Sequence, residues 1–466
     1  MNICQKGNIY NVRIEDIAYG GKGIARIDGF VIFVSGGIPG DVVSCLIIKK
    51  NKAYADARIV DFLEKSPFRI EPLCPYFDFC GGCQWQNIKY EAQLHFKKNH
   101  VKDSLEHIGL LKNIHINDTI PSPDIFHYRN KMEFSFSDKR WLLESEKDNE
   151  IKDDTFALGL HVPERYDKVL DIDECFLQSE NSNKVLNFTR SFALENGLSA
   201  YSNKSNNGFL RNLVIREGKN SNECMVNLVT YETNQSVMNK YCEELLNNCN
   251  FVTTIINNIT SRKSQVAIGE KEIVFHGAGY ITEMINEYKY LISANSFFQT
   301  NSRGTEKLYN VIKNFLPKGK TEMLWDLYCG AGAISIYLSE LCNNIIGFEI
   351  VDSAIKDANR NVEINDIKNC KFVAGDLKDR IKEYLYIIPN VIILDPPRSG
   401  LHPEVFKILK DINVQDIIYV SCNPQTQARD LEQLVENYNI IEIQPIDMFP
   451  HTMHIENVVK LNRKNL

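Results

Sequence analysis

No run of 18 or more apolar residues occurs anywhere in the 466 residues, so nothing in the chain reads as a bilayer-spanning helix and no membrane partner is expected. The first ten residues, Met1 to Tyr10, lack an apolar signal core, so a cytoplasmic rather than a secreted protein is expected. An excess of positive charge is missing too. Lys and Arg number 53 against 60 Asp and Glu, a net charge of -7, which argues against a protein that coats nucleic acid without discrimination. Thirteen cysteines are too few at this length for a disulfide scaffold, and in a cytosolic chain they read as thiols, metal ligands or nucleophiles. The 44% apolar and 24% charged residues exclude a disordered tail or a collagen-like fibre. At roughly 150 residues per domain the length suggests about three domains.

From residue 7 to residue 62, short apolar runs alternate with glycine turns. Ile9 to Ile14, Phe30 to Val34, Asp41 to Ile48 and Tyr54 to Phe62 read as strands, with Tyr19-Gly20-Gly21-Lys22-Gly23 as a turn. Several β-rich runs at this spacing predict a small closed barrel. Residues 1–66 hold nine Lys and Arg and seven acids, so the segment is +2 within an acidic chain. Lys49, Lys50 and Lys52 could meet phosphates there, although a solvated turn is the simpler reading of these three alone. The order of elements resembles a TRAM domain, a small RNA-binding barrel attached to RNA-modifying enzymes.

Cys74, Cys80 and Cys83 place three thiols in ten residues, with Gly81 and Gly82 letting the backbone curl between the last two. Three thiolates need a fourth ligand to close a zinc site or an iron–sulfur cluster, and Cys175 is the candidate. Spacing leaves both metals open. Further on, Arg129 and Lys131 share a strand face with Glu133, where phosphate contact and a surface strand with paired charges explain the residues equally well. The stretch from Glu144 to Asp154 reads as an exposed acidic loop, and a helix is expected over about 88–110.

From about residue 291 the pattern becomes alternating buried strands and helices, a doubly wound α/β sheet with ligands at the strands' carboxyl ends. The strands are Met323 to Tyr328, Ile345 to Glu349, Lys371 to Asp376, Val391 to Asp395 and Ile417 to Ser421. The first feeds Gly330-Ala331-Gly332, a turn without the third glycine of a dinucleotide fingerprint and without a phosphate-binding lysine after it. Glu349 follows about 20 residues on, placed to accept from ribose hydroxyls. A cofactor with a ribose and no phosphate fits, S-adenosyl-L-methionine, with NAD as the runner-up. Asp376 is placed for the adenine amino group.

Asp395-Pro396-Pro397-Arg398 ends the fourth strand. Arg398 stands where amine methylases carry an aromatic clamp, and the motif has no cysteine of the kind that cytosine-5 enzymes use. The nucleophile comes one strand later: Cys422, in Ser421-Cys422-Asn423-Pro424, lies just past a strand end facing the same crevice. Carbon 5 of uracil is too weak a nucleophile to take a methyl group unaided, and thiolate addition at carbon 6 makes it one. Removing the carbon-5 proton afterwards needs a base. In Phe449-Pro450-His451-Thr452-Met453-His454-Ile455-Glu456, His454 and Glu456 point the same way on a strand, and Glu456 is the expected base. The histidine spacing is not that of a helical zinc motif.

These motifs, with Phe297-Phe298-Gln299-Thr300-Asn301, resemble the RNA uridine-5-methyltransferase family along nearly the whole chain. The resemblance implies an α/β architecture: a C-terminal Rossmann-like methyltransferase domain (291–466), an N-terminal TRAM barrel (1–65) and a β-rich central domain (66–290) holding a 4Fe-4S cluster on Cys74, Cys80, Cys83 and Cys175. The helix near 88–110 is expected to pack on the C-terminal domain. It implies that Gln299, Tyr328, Glu349, Asp376 and Asp395 hold the cofactor, with Cys422 as nucleophile and Glu456 as proton acceptor. Transfer-RNA-directed relatives are expected to lack both barrel and cysteine cluster, which points to a uridine of 23S ribosomal RNA; a monomer is expected. The alternatives are the same reaction on transfer RNA, or an iron–sulfur RNA-binding protein without turnover.

Overall fold

The computed structural model describes residues 4–464 except 144–145, 147–154, 164, 203 and 264–266. The acidic stretch from Glu144 to Asp154 therefore lies, Glu146 apart, outside the described residues. The first sheet comprises β1 (Ile9–Arg13), β2 (Asp16–Ile17), β3 (Gly23–Ile27), β4 (Phe30–Ser35), β5 (Val42–Lys50) and β6 (Tyr54–Glu64), in spatial order β1-β5-β6-β4-β3-β2. In β5 the residues Val43, Cys45 and Ile47 alternate inward and are buried, together with Val12, Ala25, Ile32, Val34, Ala55 and Ala57. Residues 9–17 pair with β5 through β1 and with β3 through β2. One continuous segment thus supplies both edges, and the sheet closes into a barrel with no free edge there.

Next in the chain is α1 (Tyr90–His107). An eight-stranded sheet follows, built from β7 (Lys131–Ser137), β8 (Arg140–Trp141), β9 (Ala157–Val162), β10 (Arg165–Asp171), β11 (Leu210–Glu217), β12 (Cys224–Thr230), β13 (Thr254–Ile259) and β14 (Lys271–His276). The helices α2 (Glu180–Glu195) and α3 (Gln235–Asn248) bury Val185, Leu186, Met238, Tyr241 and Leu245 against its Phe134, Leu213 and Leu228. A hairpin, β15 (Tyr280–Ile285) and β16 (Tyr288–Ser293), alternates buried residues toward the last sheet, seating Ile281, Ile285, Tyr290 and Ile292 in its core.

That last sheet begins after α4 (Ser302–Phe315). Its strands are β17 (Thr321–Leu327), β18 (Cys342–Glu349), β19 (Cys370–Ala374), β20 (Val391–Leu394), β21 (Asp416–Ser421), β22 (Tyr438–Ile446) and β23 (Glu456–Arg463), in order β19-β18-β17-β20-β21-β23-β22. The first five in chain order run parallel, joined by α5 (Ala333–Tyr337), α6 (Asp352–Ile364), α7 (Leu377–Glu383), α8 (Pro403–Asp411) and, after β21, α9 (Pro424–Leu434). Both faces are covered, so strands such as Val391–Leu394 are apolar throughout. The final strand, β23, runs antiparallel and wedges between β21 and β22. Val101 and Leu105 of α1 are buried in the same core as Trp325, Leu431 and Leu434, so a helix far earlier in sequence covers this sheet.

Two expectations shift here. The third strand ends at Ala374, and Asp376 instead caps α7 by accepting from the Lys378 N–H, because a short polar side chain satisfies a free helix-end donor. Likewise β23 starts at Glu456, so His454 lies in the preceding loop rather than on the strand.

Candidate active site

The crevice at the carboxyl ends of β17, β18 and β20 is opened by a tight turn. Tyr328, Gly330 and Gly332 all adopt positive φ, at 66°, 54° and 75°. A Cβ on Gly332 would sit 2.6 Å from the Phe372 ring, so only glycine fits, whereas one on Gly330 would meet nothing within 4 Å. Gly330 is thus the open side of the cradle. Glu349 is held beside it, its two carboxylate oxygens accepting from the N–H of Gly330 (3.1 Å) and of Val351 (2.9 Å). Each oxygen keeps acceptor capacity for a hydroxyl. Ile350 and Val351, 63% and 49% exposed, offer an apolar surface next to that acid, the pairing that a nucleoside needs. Asp376 is half-buried beside the same crevice, its carboxyl held low by Lys378. The backbone of Gln299 is anchored through its carbonyl by the Asn130 amide (2.9 Å), and Asn301 caps α4 while donating to the Met448 carbonyl (3.1 Å). Asp395 follows β20 directly. Loss of hydration, with the buried Asp326 nearby, pushes its carboxyl up to about 7.

Cys422 stands at the junction of β21 and α9. Asn423 caps α9 through the Gln425 N–H (3.1 Å) and donates to the Arg398 carbonyl (3.1 Å), tying the Asp395–Pro396–Pro397–Arg398 loop to the cysteine. The antiparallel register pairs Ser421 with Asn457. Cys422 and Glu456, one step further in opposite directions, are therefore neighbours across the ladder. Burial first, then the Glu456 and Asp395 carboxyls, push the Cys422 thiol up to about 11, against the pull of the Arg398 guanidinium. Burial and Asp395 also hold Glu456 well above the usual carboxyl range, with Arg398 offsetting. A protonated thiol, a buried carboxyl and one arginine thus converge at the crevice floor. Arg398 entered the sequence reading only as a missing aromatic clamp; its approach to the thiol depends on a loop packing that no local pattern encodes.

The loop that carries Glu456 is fixed from α1. Lys97, fully buried, donates to Asp447 (2.6 Å) and to the Phe449 carbonyl (2.9 Å), and Tyr90 donates to the other Asp447 oxygen (3.0 Å). His451 takes a left-handed φ of 64°, uncommon for a side chain of its size. It is stacked on Phe126 at 4.3 Å and bonded through its N–H to Gln93 (2.9 Å). Burial pushes both His451 and His454 down to about 4, so both rings are neutral at physiological pH.

Elsewhere, Cys74, Cys80, Cys83 and Cys175 line one cavity of about 160 Å³, with Arg129 in its wall. Among the described residues, no three His, Cys, Asp or Glu side chains form a group able to hold a single metal ion. Lys131 pairs with Glu133 at 3.6 Å, the paired-charge reading of that strand, and Arg129 belongs to the thiol cavity instead. Of the barrel lysines, Lys50 is tied to the Cys4 carbonyl.

The family model for tRNA (Uracil-5-)-methyltransferase matches residues 218–464, and that for the TRAM domain matches residues 5–60. An RNA methyltransferase of Chlorobaculum tepidum is 43% identical over 98% of this chain and 97% of its own length. Another, from Bacteroides thetaiotaomicron, is 40% identical over 95% and 98%. The solved tRNA (uracil-54, C5)-methyltransferase of Pyrococcus abyssi, in complex with S-adenosyl-L-homocysteine, shares 31% identity and a TM-score of 0.76, covering 97% of this chain and 100% of that one. Only about 3% of this chain is left uncovered, too little to exclude the barrel. Its presence therefore does not separate ribosomal from transfer RNA enzymes. The chain belongs to the tRNA (Uracil-5-)-methyltransferase family, whose members are S-adenosyl-L-methionine-dependent enzymes acting on carbon 5 of uracil in RNA.

Proposed function

We propose that this enzyme makes 5-methyluridine in 23S ribosomal RNA through a covalent bond between Cys422 and carbon 6 of the target uracil. The observation that carries the covalent mechanism is the adjacency of Cys422 and Glu456 across β21 and β23, with the Arg398 charge favouring the thiolate, and the ribosomal target rests on the cysteine cluster that transfer-RNA-directed relatives are expected to lack. After losing its proton to solvent, with the Arg398 charge favouring the thiolate, Cys422 adds to carbon 6, and the electron pair of the ring double bond moves to carbon 5 and its conjugated carbonyl. Gln299, Tyr328, Glu349, Asp376 and Asp395 would hold S-adenosyl-L-methionine, which would supply an electrophilic methyl group. Carbon 5 would take that methyl as the S–CH3 bond breaks and the sulfonium sulfur leaves with its electron pair as a neutral thioether, and positioning supplies much of the rate. Glu456 then accepts the carbon-5 proton, the ring double bond re-forms and Cys422 leaves. The ring must leave the RNA stack to reach a thiol this enclosed.

Cys74, Cys80, Cys83 and Cys175 would hold a 4Fe-4S cluster. In support, the four thiols surround one cavity of about 160 Å³. The reaction needs no electron, so such a cluster would act as a staple between the 74–83 loop and Cys175. A second reading, the same chemistry on transfer RNA, is favoured by the likeness to the Pyrococcus enzyme. Labelled-methyl assays on ribosomal and transfer RNA from a strain lacking the gene separate the two. Replacing Cys422→Ala should abolish turnover and the covalent RNA adduct on both; turnover at the normal rate without that thiol would end the proposal.

A further inference from the structure

The barrel is seated on the catalytic machinery through one turn. Within it, Ala18 donates to the Lys22 carbonyl (2.8 Å) and Gly21 to the Ala18 carbonyl (2.9 Å). Gly21, at φ +82°, leaves its open side against the indole of Trp85, where a Cβ would lie 3.5 Å from Nε1. Ile17 and Ile38 of the barrel are buried with Trp85, Ile88, Ala92 and Phe96, and Met453 of the catalytic loop packs on this group. The His100 ring bonds the Ile17 carbonyl at 3.0 Å. Gln84 and Trp85, which receive the turn, both donate their backbone N–H to the His451 carbonyl (2.9 and 3.0 Å). Barrel position and catalytic-loop position are thereby set by the same two residues.

This seating sets the turn that carries Tyr19 beside the segment His451–Met453 that leads into Glu456. The Tyr19 ring stands edge-on to His100 at 5.7 Å, half-buried, and its hydroxyl is within electrostatic reach of Arg398, Cys422 and Glu456. Nothing in the mechanism above uses it. We infer that Tyr19 is a wall of the pocket that receives the extruded uracil, a positioning residue that holds the ring over Cys422, so that the RNA-binding barrel completes the active site as well as gripping the substrate. A flat ring with a donor at its edge suits a planar base bearing carbonyl oxygens. The inference rests on the covalent role proposed for Cys422.

The test is a split between binding and chemistry in the full-length protein. With saturating RNA, Tyr19→Ala should lower kcat by about tenfold or more, since a slightly misplaced ring is costly. Adduct formation on 5-fluorouridine-containing RNA should fall in parallel, while the RNA Kd stays within about threefold of wild type. Tyr19→Phe, which keeps the ring, should recover most of the rate. A Tyr19→Ala enzyme with normal kcat, or one impaired only in RNA affinity, overturns the inference. If thermal melting shows Tyr19→Ala to be unfolded, Tyr19→Leu carries the same comparison with Tyr19→Phe. Should Cys422→Ala still form the adduct, the underlying reading fails; should it not, and Tyr19→Ala be unimpaired, only this inference does.

Discussion

Replacing Glu456 by Gln should separate methyl transfer from product release. Glu456 is 4% exposed, so an isosteric amide keeps the packing that a smaller residue would lose. What it removes is the acceptor for the carbon-5 proton. A positioned general base is worth about 10²–10⁴-fold in rate, or about 2.7–5.4 kcal/mol of barrier. That loss falls on the step after methylation, so the first methyl group is still transferred and the RNA stays bonded to Cys422. Rapid quenching with labelled methyl donor, followed by a denaturing gel, should show protein-linked methylated RNA approaching one per enzyme, with release slowed by about 100-fold or more. Because burial and Asp395 hold Glu456 well above the usual carboxyl range, its basic form is favoured as pH rises. Wild-type release should therefore accelerate as pH rises, and release from the variant should not. Free methylated RNA leaving Glu456→Gln at the wild-type rate would refute the assignment.

With the Cys422 thiol pushed up to about 11, the thiolate fraction rises with pH, so its alkylation by iodoacetamide should climb about tenfold per pH unit above neutrality; mass spectrometry follows the rate, and Arg398→Ala, which removes the lowering charge, should slow it at every pH below the plateau. Lys97→Met leaves Asp447 buried without its cation and should cost about 3–5 kcal/mol, while adding Asp447→Asn should restore much of it, read from denaturant midpoints. Anaerobic purification should yield a brown protein whose visible absorbance is lost in Cys80→Ala; a colourless protein with stoichiometric zinc would reject the iron–sulfur reading.

Much of this protein was legible in its residues taken alone. The inward alternation of Val43, Cys45 and Ile47, the Gly330–Gly332 turn after an apolar strand, the acid ending the next strand and a cysteine just past the fifth are local patterns. Local patterns are what strand period and turn sterics write into a chain. The resemblance to RNA uridine-5-methyltransferases rested on such short motifs and agreed with the family models. Boundaries were less legible: Asp376 capping α7 and His454 falling outside β23 follow from helix-end bonding and strand pairing, which periodicity does not report.

The rest was decided by chain topology. Wedging β23 between β21 and β22 brings Glu456 beside Cys422, and folding α1 across the final sheet buries Lys97 against Asp447, 350 positions away. Docking the barrel on Trp85 sets the turn that carries Tyr19 beside the segment leading into Glu456. Residue types could say that a thiol and a carboxyl were available. Whether they share a dry pocket, and so which way their protons lean, depends on desolvation and neighbouring charge that exist only once distant segments are packed together.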